Sequence, residues 1–217
     1  MQDDQDAGDT SVANARLKHI FSRRSTDELR QSYSAWADEY DKDLVEDLGY
    51  RAPELVADAA TRFLGQTTAP MLDIGCGTGL TGEALLESGD WILHGLDLSR
   101  EMLDQARQKD IYDELILANL NEPLSIADDT YGGAISSGTF THGHVKADAL
   151  CEITRVLKPG APFAFTVHSE FWEVSGFSET LDKLSRQRQL ELVEKEERPH
   201  ISTLPDKTSF ICVAVAT

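Results

Sequence analysis

Basic residues are scarce in this chain. Of 217 residues, 20 are lysine or arginine and 38 are aspartate or glutamate, a formal net charge of −18. No basic stripe is available to follow a phosphate backbone, and the excess of carboxylates repels one, so no nucleic-acid partner is expected. A salt-adapted or simply soluble surface accounts for the charge, which says little about fold. Cysteine is scarcer still. Cys76, Cys151 and Cys212 lie far apart and form no C-x-x-C. An odd count without metal spacing fits free thiols in a reducing cytoplasm, and no metal site is expected. No apolar run approaches the length of a membrane span, and the acidic start Met1-Gln2-Asp3-Asp4 is unlike a signal peptide. A cytoplasmic protein with no membrane partner is therefore expected. Internal repeats and low-complexity tracts are also absent.

Hydrophobic content of 41% and charged content of 27% are ordinary for a globular protein, and the length suits one domain with a substantial core. Residues 1–11 read as a disordered acidic tail and residues 12–66 as an N-terminal helical region. Ser25 and Glu28 form a capping box, and the helix they open places Leu29, Tyr33, Trp36 and Tyr40 on one face. A second helix carries Pro53 in its first turn and stops at Gly65. From residue 67 onward strands and helices alternate. The strands are Met71–Ile74, 92–96 with Asp97 at the tip, 115–118, 133–137 and Pro162–His168. The helices are 80–88 with Gly89 as C-cap, one from the Ser99 N-cap to Lys109, and 146–157. This order predicts an α/β fold with a parallel sheet covered on both faces. Residues 190–198 and 209–216, joined through Pro205-Asp206-Lys207, then break the alternation as an antiparallel hairpin.

The densest chemical information lies in Met71-Leu72-Asp73-Ile74-Gly75-Cys76-Gly77-Thr78-Gly79. A short apolar strand runs into a turn with glycine at every second position, which lets the main chain approach a ligand closely. The helix that follows points its free N–H groups at that ligand. Asp73 is the anomaly in the strand, because a buried carboxylate is costly unless something pairs with it, and a cationic ligand would do so. The same stretch also satisfies a dinucleotide pattern: Gly77, Gly79 and Gly82 read G-x-G-x-x-G, and Asp97 stands where a ribose-binding acid belongs. Two features favour the other reading. Asp73 interrupts the strand before the first glycine, and a terminal hairpin replaces a sixth parallel strand.

Asp-x-Gly-x-Gly-x-Gly after a strand resembles the first motif of the class I S-adenosylmethionine-dependent methyltransferases. Tyr33-Ser34-Ala35-Trp36-Ala37-Asp38-Glu39-Tyr40-Asp41 is similar to their lead helix, with Ser34 where aspartate is frequent. The segments 48–53 (Leu-Gly-Tyr-Arg-Ala-Pro) and 137–145 are similar to the Williams–Beuren-region methyltransferase-like subgroup. The resemblance implies a Rossmann-like seven-stranded sheet of five parallel strands and a C-terminal antiparallel hairpin, spanning residues 67–217, with residues 12–66 as a cap. It implies S-adenosyl-L-methionine as cofactor. Asp73, Gly75, Cys76, Gly77, Thr78 and Gly79 would hold its amino-acid end, with Arg51 on the carboxylate. Asp97 would accept the ribose hydroxyls, with Leu98 and Met102 as apolar flanks. Asn119 or the main chain of Leu120 would meet the adenine. Ser137 and Gly138 would bind the cofactor in a loop that also meets the acceptor, and Tyr33 and Trp36 would close over the sulfonium, to which an aromatic face is attractive.

His142 and His144 follow the fourth strand. A histidine there suits a general base at neutral pH, and the bland alternative is a loop histidine that only hydrogen-bonds. His168, at the tip of the fifth strand, is a third candidate on that rim. The asparagine–proline–proline signature of adenine, cytosine and glutamine amino-methylating enzymes is absent from the 137–145 loop. The expectation is therefore methyl transfer to a small soluble acceptor. The alternatives are a protein of the same fold that binds cofactor without turnover, and a nicotinamide oxidoreductase.

Overall fold

A computed structural model describes residues 39–217, apart from Gln66, residues 142–144 and Glu173. The 1–11 tail, the Ser25 capping box, the helix face of Leu29, Tyr33 and Trp36, and the pair His142 and His144 lie outside the described residues. Seven strands form one sheet: β1 (Met71–Ile74), β2 (Leu93–Asp97), β3 (Glu114–Leu117), β4 (Gly133–Phe140), β5 (Pro162–His168), β6 (Leu190–Pro199) and β7 (Thr208–Ala216). Their order is β3-β2-β1-β4-β5-β7-β6. The first five run parallel, and β7 is antiparallel to both β5 and β6. The α-helices among the described residues are α1 (Ala52–Thr61), α2 (Leu80–Leu86), α3 (Arg100–Gln108), α4 (Ala149–Val156), α5 (Ser169–Trp172) and α6 (Phe177–Arg186). A π-helical turn, Lys42–Asp47, precedes α1. No helix among the described residues is long and apolar enough to cross a membrane.

All four residues of β1 are buried, as expected of a central strand covered on both faces. Alternation divides them. Leu72 and Ile74 pack with Leu150, Ile153 and Val156 of α4 and with Phe177 and Leu181 of α6. Met71 joins Val56, Ala59 and Ala60 of α1 and Leu85 of α2 on the other face. Asp73 shares the face of Met71. Each fully buried aliphatic side chain contributes about 1.5–3 kcal/mol, so a one-residue slip of β1 would exchange the two faces at prohibitive cost.

Several boundaries differ from the sequence reading for physical reasons. Helix α1 ends at Thr61, short of Gly65. Helix α2 ends at Leu86, and Gly89 is not a left-handed cap. Instead, the Ser88 and Gly89 N–H groups bond to the carbonyls of Leu85 and Leu86 in tight turns. Strand β4 continues beyond Ser137 through a register shift, with Gly138 at φ 70°, to Phe140. That extension places the Phe140 ring edge-on to Phe163, Phe165 and Phe177. Helix α4 begins at Ala149 because residues 146–151 first close as three-residue turns. Strand β6 is the outer strand of the hairpin, and its exposed positions include Glu191, Glu196 and Glu197.

Because β1 sits between β2 and β4, the strand order reverses there, and a crevice opens at the carboxyl ends. The first turn of α2 borders it. Gly82 in that turn makes room for Tyr112, which lies between α3 and β3. A Cβ at Gly82 would stand 2.5 Å from the Tyr112 hydroxyl and 2.9 Å from Leu93 Cδ2. The glycine that completes the dinucleotide-like spacing is therefore matched to a tyrosine ring. Gly82→Ala is expected to destabilise the fold by about 1–3 kcal/mol despite alanine's better helix propensity, because it overpacks this contact. Tyr112→Phe in the same chain should recover part of the loss. Urea unfolding of the two single variants and the double variant measures both, and an unchanged Gly82→Ala midpoint would refute the contact.

Candidate functional site

An open cleft occupies the crevice. Gly75 and Gly77 of the loop after β1 line it, as do Leu96 to Ser99 at the end of β2 and Met102 on α3. Residues 118–121 after β3, Ser137 to Thr139 on β4, Tyr40 and Val145 complete the wall. Nine of the sixteen cofactor positions expected from the sequence thus meet on one surface: Gly75, Gly77, Asp97, Leu98, Met102, Asn119, Leu120, Ser137 and Gly138. Tyr33 and Trp36 are outside the described residues, leaving five that are described but do not line the cleft.

Asp97 organises the centre. Its Oδ2 accepts the Gly77 N–H at 2.9 Å and its Oδ1 accepts the Ser99 N–H at 2.8 Å. Each oxygen keeps a further lone pair for a ligand hydroxyl. Ser99 caps α3 as its position predicts, accepting the Met102 N–H at 3.2 Å. Gly77 has φ 54°, and a Cβ built on it meets nothing within 4 Å. A side chain there would therefore project into open cleft, which is the opening a close-lying ligand needs. Burial raises the Asp97 pKa, and the N–H groups of Ser99, Gly77 and Leu98 oppose the rise.

Beside β4, the Ser137 hydroxyl pairs with Thr81 of α2 at 2.7 Å, and the Tyr50 hydroxyl bonds to Ser137 as well. Burial pushes the Tyr50 pKa up to about 12, so it stays a neutral phenol. Asn119 lines the cleft, but its side chain serves a turn. Its Oδ1 accepts the Asn121 N–H at 3.0 Å, and its amide donates to Glu122 at 3.0 Å. The main chain of residues 118–120 is therefore better placed than the Asn119 amide to meet a planar ligand edge.

The five remaining positions lie elsewhere. Arg51 is exposed and faces Glu54 at 3.4 Å, while its main-chain N–H holds the His200 carbonyl. It is not among the described residues that line the cleft. Thr78 is buried and donates its hydroxyl to Asp41. Gly79, with φ 100°, is the N-cap of α2. Cys76 is buried under the loop, where desolvation and the neighbouring Asp73 and Asp97 raise its thiol pKa well above the ordinary value. Asp73 is fully buried beneath the loop, on the α2 side of the sheet. Its described partner is the Tyr112 hydroxyl at 2.6 Å, and the Gly82 N–H of the first turn of α2 also faces it. A phenol and the first turn of a helix thus meet one side of the carboxylate, while its Oδ1 is buried with no hydrogen-bond partner among the described residues. Tyr112 carries no local sequence signal of this role, whereas Asp41 and Tyr50 stand in segments that resemble the family but carry no signal of the bonds they make.

His168 is buried at the tip of β5, with its ring 5.5 Å from that of His200. Burial, His168 and Lys207 lower the His200 pKa to about 4, so that ring is neutral at physiological pH. Among the described residues no group of three histidine, cysteine or acidic side chains is arranged to hold a metal.

Burial raises the Asp73 pKa from 3.8 to about 7, against the opposing bonds from Tyr112 and Gly82. The folded state therefore binds this proton more tightly than the unfolded chain does. Stability contributed by Asp73 is greatest below about pH 4 and falls as pH rises towards 7, by up to about 4 kcal/mol. Asp73→Asn keeps an acceptor for Tyr112 and does not titrate. The stability difference, wild type minus variant, should accordingly decline across that window in urea unfolding of the ligand-free protein. A difference that is flat with pH would contradict the buried acid described here.

The chain matches a known domain family, described as "Methyltransferase domain", over residues 72–165. That segment runs from β1 into β5 and carries most of the cleft. Methyltransferase-like protein 27 of Homo sapiens is 32% identical over 188 residues, covering 84% of this chain and 76% of that protein. An 18S rRNA (guanine-N(7))-methyltransferase of Arabidopsis thaliana is 42% identical over 93 residues, 41% of this chain and 29% of that protein. Among solved structures, a chain from the complex of the Haloferax volcanii Trm112 methyltransferase activator with a methyltransferase superposes with a TM-score of 0.66. It is 20% identical and covers 85% of this chain and 97% of that one, a likeness of fold. A relative matched along most of both chains, a matching domain family and a cleft at the glycine turn agree. The chain belongs to the class I S-adenosylmethionine-dependent methyltransferases, and S-adenosylmethionine is its cofactor.

Proposed function

We propose that the cleft holds S-adenosylmethionine and that the enzyme methylates a small soluble acceptor in the cytoplasm. The carrying observation is the Asp97 carboxylate, fixed by the Gly77 and Ser99 N–H groups on the floor of an open cleft. A fixed carboxylate with lone pairs to spare suits a vicinal diol, which offers two donors side by side. In this reading Asp97 accepts the ribose hydroxyls, Leu98 and Met102 flank the adenosine, and the main chain at Leu120 meets the adenine edge. Gly75 and Gly77 let the amino-acid end lie against the loop. Ser137 and Gly138 border the side from which an acceptor approaches. Tyr33 and Trp36 cover the site from the N-terminal region, residues 12–66, which caps a core of residues 67–217.

The cofactor supplies a methyl group already activated on a sulfonium, so the protein's part is chiefly approach and orientation. His142, His144 and His168 stand as candidate proton acceptors on the acceptor side. A neutral imidazole can take a proton from an attacking hydroxyl or amine.

The small-molecule assignment is supported by the net charge of −18. The rRNA-methylating relative supports a second reading, in which the acceptor is a nucleobase. Methyl-labelled S-adenosylmethionine, incubated with the enzyme and either a small-metabolite extract or total RNA, separates them. Label in the small-molecule fraction is expected, and label confined to RNA would overturn the assignment.

Calorimetry should show micromolar binding of S-adenosylmethionine and none of NAD. Asp97→Asn keeps one acceptor but removes the charge. It is expected to weaken cofactor binding by about 1.5–3 kcal/mol, the range for hydrogen bonds to a charged group. Unaltered affinity would mean that Asp97 serves only the Gly77 and Ser99 turns.

A further inference from the structure

Three hydroxyl groups meet at the β4 side of the cleft, and the number of their protons fixes what a ligand is offered there. Ser137 lines the cleft, and its Oγ lies 2.7 Å from the Thr81 hydroxyl of α2. The Tyr50 hydroxyl bonds to the same Ser137. Thr81 is buried, and Tyr50 is a neutral phenol that keeps its proton. Among the described residues neither hydroxyl has a second partner. A buried O–H proton without an acceptor is costly, so each of the two donates to Ser137. A serine oxygen has two lone pairs and one proton. Both lone pairs are then taken, and the proton alone is left for the cleft. Accepting two bonds also polarises that proton and strengthens it as a donor.

Tyr50 is firmly held. It bridges to Ile201, its N–H donates to the Leu44 carbonyl at 2.9 Å, and its ring meets that of His200 edge-on at 6.2 Å. A Cβ on Gly138 would stand 2.8 Å from the Tyr50 hydroxyl, so the phenol reaches β4 because residue 138 is glycine. No lysine or arginine is among the described residues that line the cleft, so an anionic group there depends on neutral donors.

We propose that Ser137 is a fixed hydrogen-bond donor to a carboxylate in the cleft, with Tyr50 and Thr81 as the positioning residues that aim it. This rests on the assignment of the cleft to the cofactor. A hydroxyl with only its proton to give turns away an ammonium group and takes an oxygen, a charged one most strongly. The amino-acid end of the cofactor carries both groups, and this arrangement turns its carboxylate, not its ammonium, towards Ser137. A carboxylate on the acceptor molecule is the other source of the same chemistry.

Calorimetry with S-adenosylmethionine and with its decarboxylated form, which differs only by that carboxylate, compares wild type, Ser137→Ala, Tyr50→Phe and the double variant. Ser137→Ala is expected to weaken S-adenosylmethionine about tenfold and Tyr50→Phe about threefold, with the decarboxylated form unaffected. The double variant should bind no more weakly than Ser137→Ala, because Tyr50 acts through Ser137. A merely structural Tyr50 would weaken both ligands alike. If Tyr50→Phe does not fold, Thr81→Val removes the other donor and is read in the same way. Where neither affinity moves, a small-metabolite extract is split on an anion-exchange resin, and each half receives methyl-labelled S-adenosylmethionine with wild type or Ser137→Ala. Loss of label confined to the retained, acidic acceptors assigns the carboxylate to the acceptor. Equal weakening of the two cofactor forms overturns the donor alone, as do unmoved affinities with label unchanged, absent or lost from both halves. Wild type that binds neither form overturns the cleft assignment and the donor together.

Discussion

The bridge made by Asp97 is the interaction on which the site depends. One carboxylate at the end of β2 ties down the glycine loop after β1 and the turn into α3, which meet at the point where strand order reverses. Removing it would leave the Gly77 and Ser99 N–H groups without their acceptor, at about 1–3 kcal/mol for each that stays buried. In the proposed reading the same residue serves the ribose hydroxyls with what bonding capacity remains. Its raised pKa measures the tension between those demands, since burial opposes the charge and three main-chain N–H groups support it.

Beneath the loop, a second acid solves a different problem. Asp73 is buried deeply enough to be half protonated near neutrality, yet the Tyr112 hydroxyl and the start of α2 make its place tolerable. Gly82 and Tyr112 are two halves of that solution, because the ring reaches the carboxylate only where the helix offers no Cβ. The two acids of the motif are thus divided in role, with Asp97 facing the cleft and Asp73 supporting the loop from below.

The alternation of strand and helix was legible in the sequence because its periods persist through β1, β2 and β5 and their crossovers. The glycine loop was legible because few other structures need that spacing after a strand. The end of β4 was not, since Ser136-Ser137-Gly138-Thr139 reads as a loop and its continuation depends on Phe140 finding three distant phenylalanines. The direction of the Arg51 side chain was not legible, because a positive charge near a site does not set which way a long side chain turns. The Tyr112 partner of Asp73 was not legible, because it stands in a loop beyond α3 without any local pattern. Asp41 stands in the segment that resembles the lead helix, but its bonds reach Thr78 and Lys109, a relation that only tertiary structure supplies.

Among the described residues the sheet ends in β3 and β6, and these margins are protected in unlike ways. Strand β3 is short, four residues, with Leu117 exposed, whereas β6 is ten residues long and carries Glu191, Glu196 and Glu197 among its exposed positions. An unpaired strand margin is a template for another chain, and brevity and a row of charged side chains are two separate ways of refusing one. On β6 the charges are of both signs, with Lys195 and Arg198 beside the glutamates and Arg198 paired with Glu196. A strand that paired there would have to strip water from that row, a cost that salt does not remove.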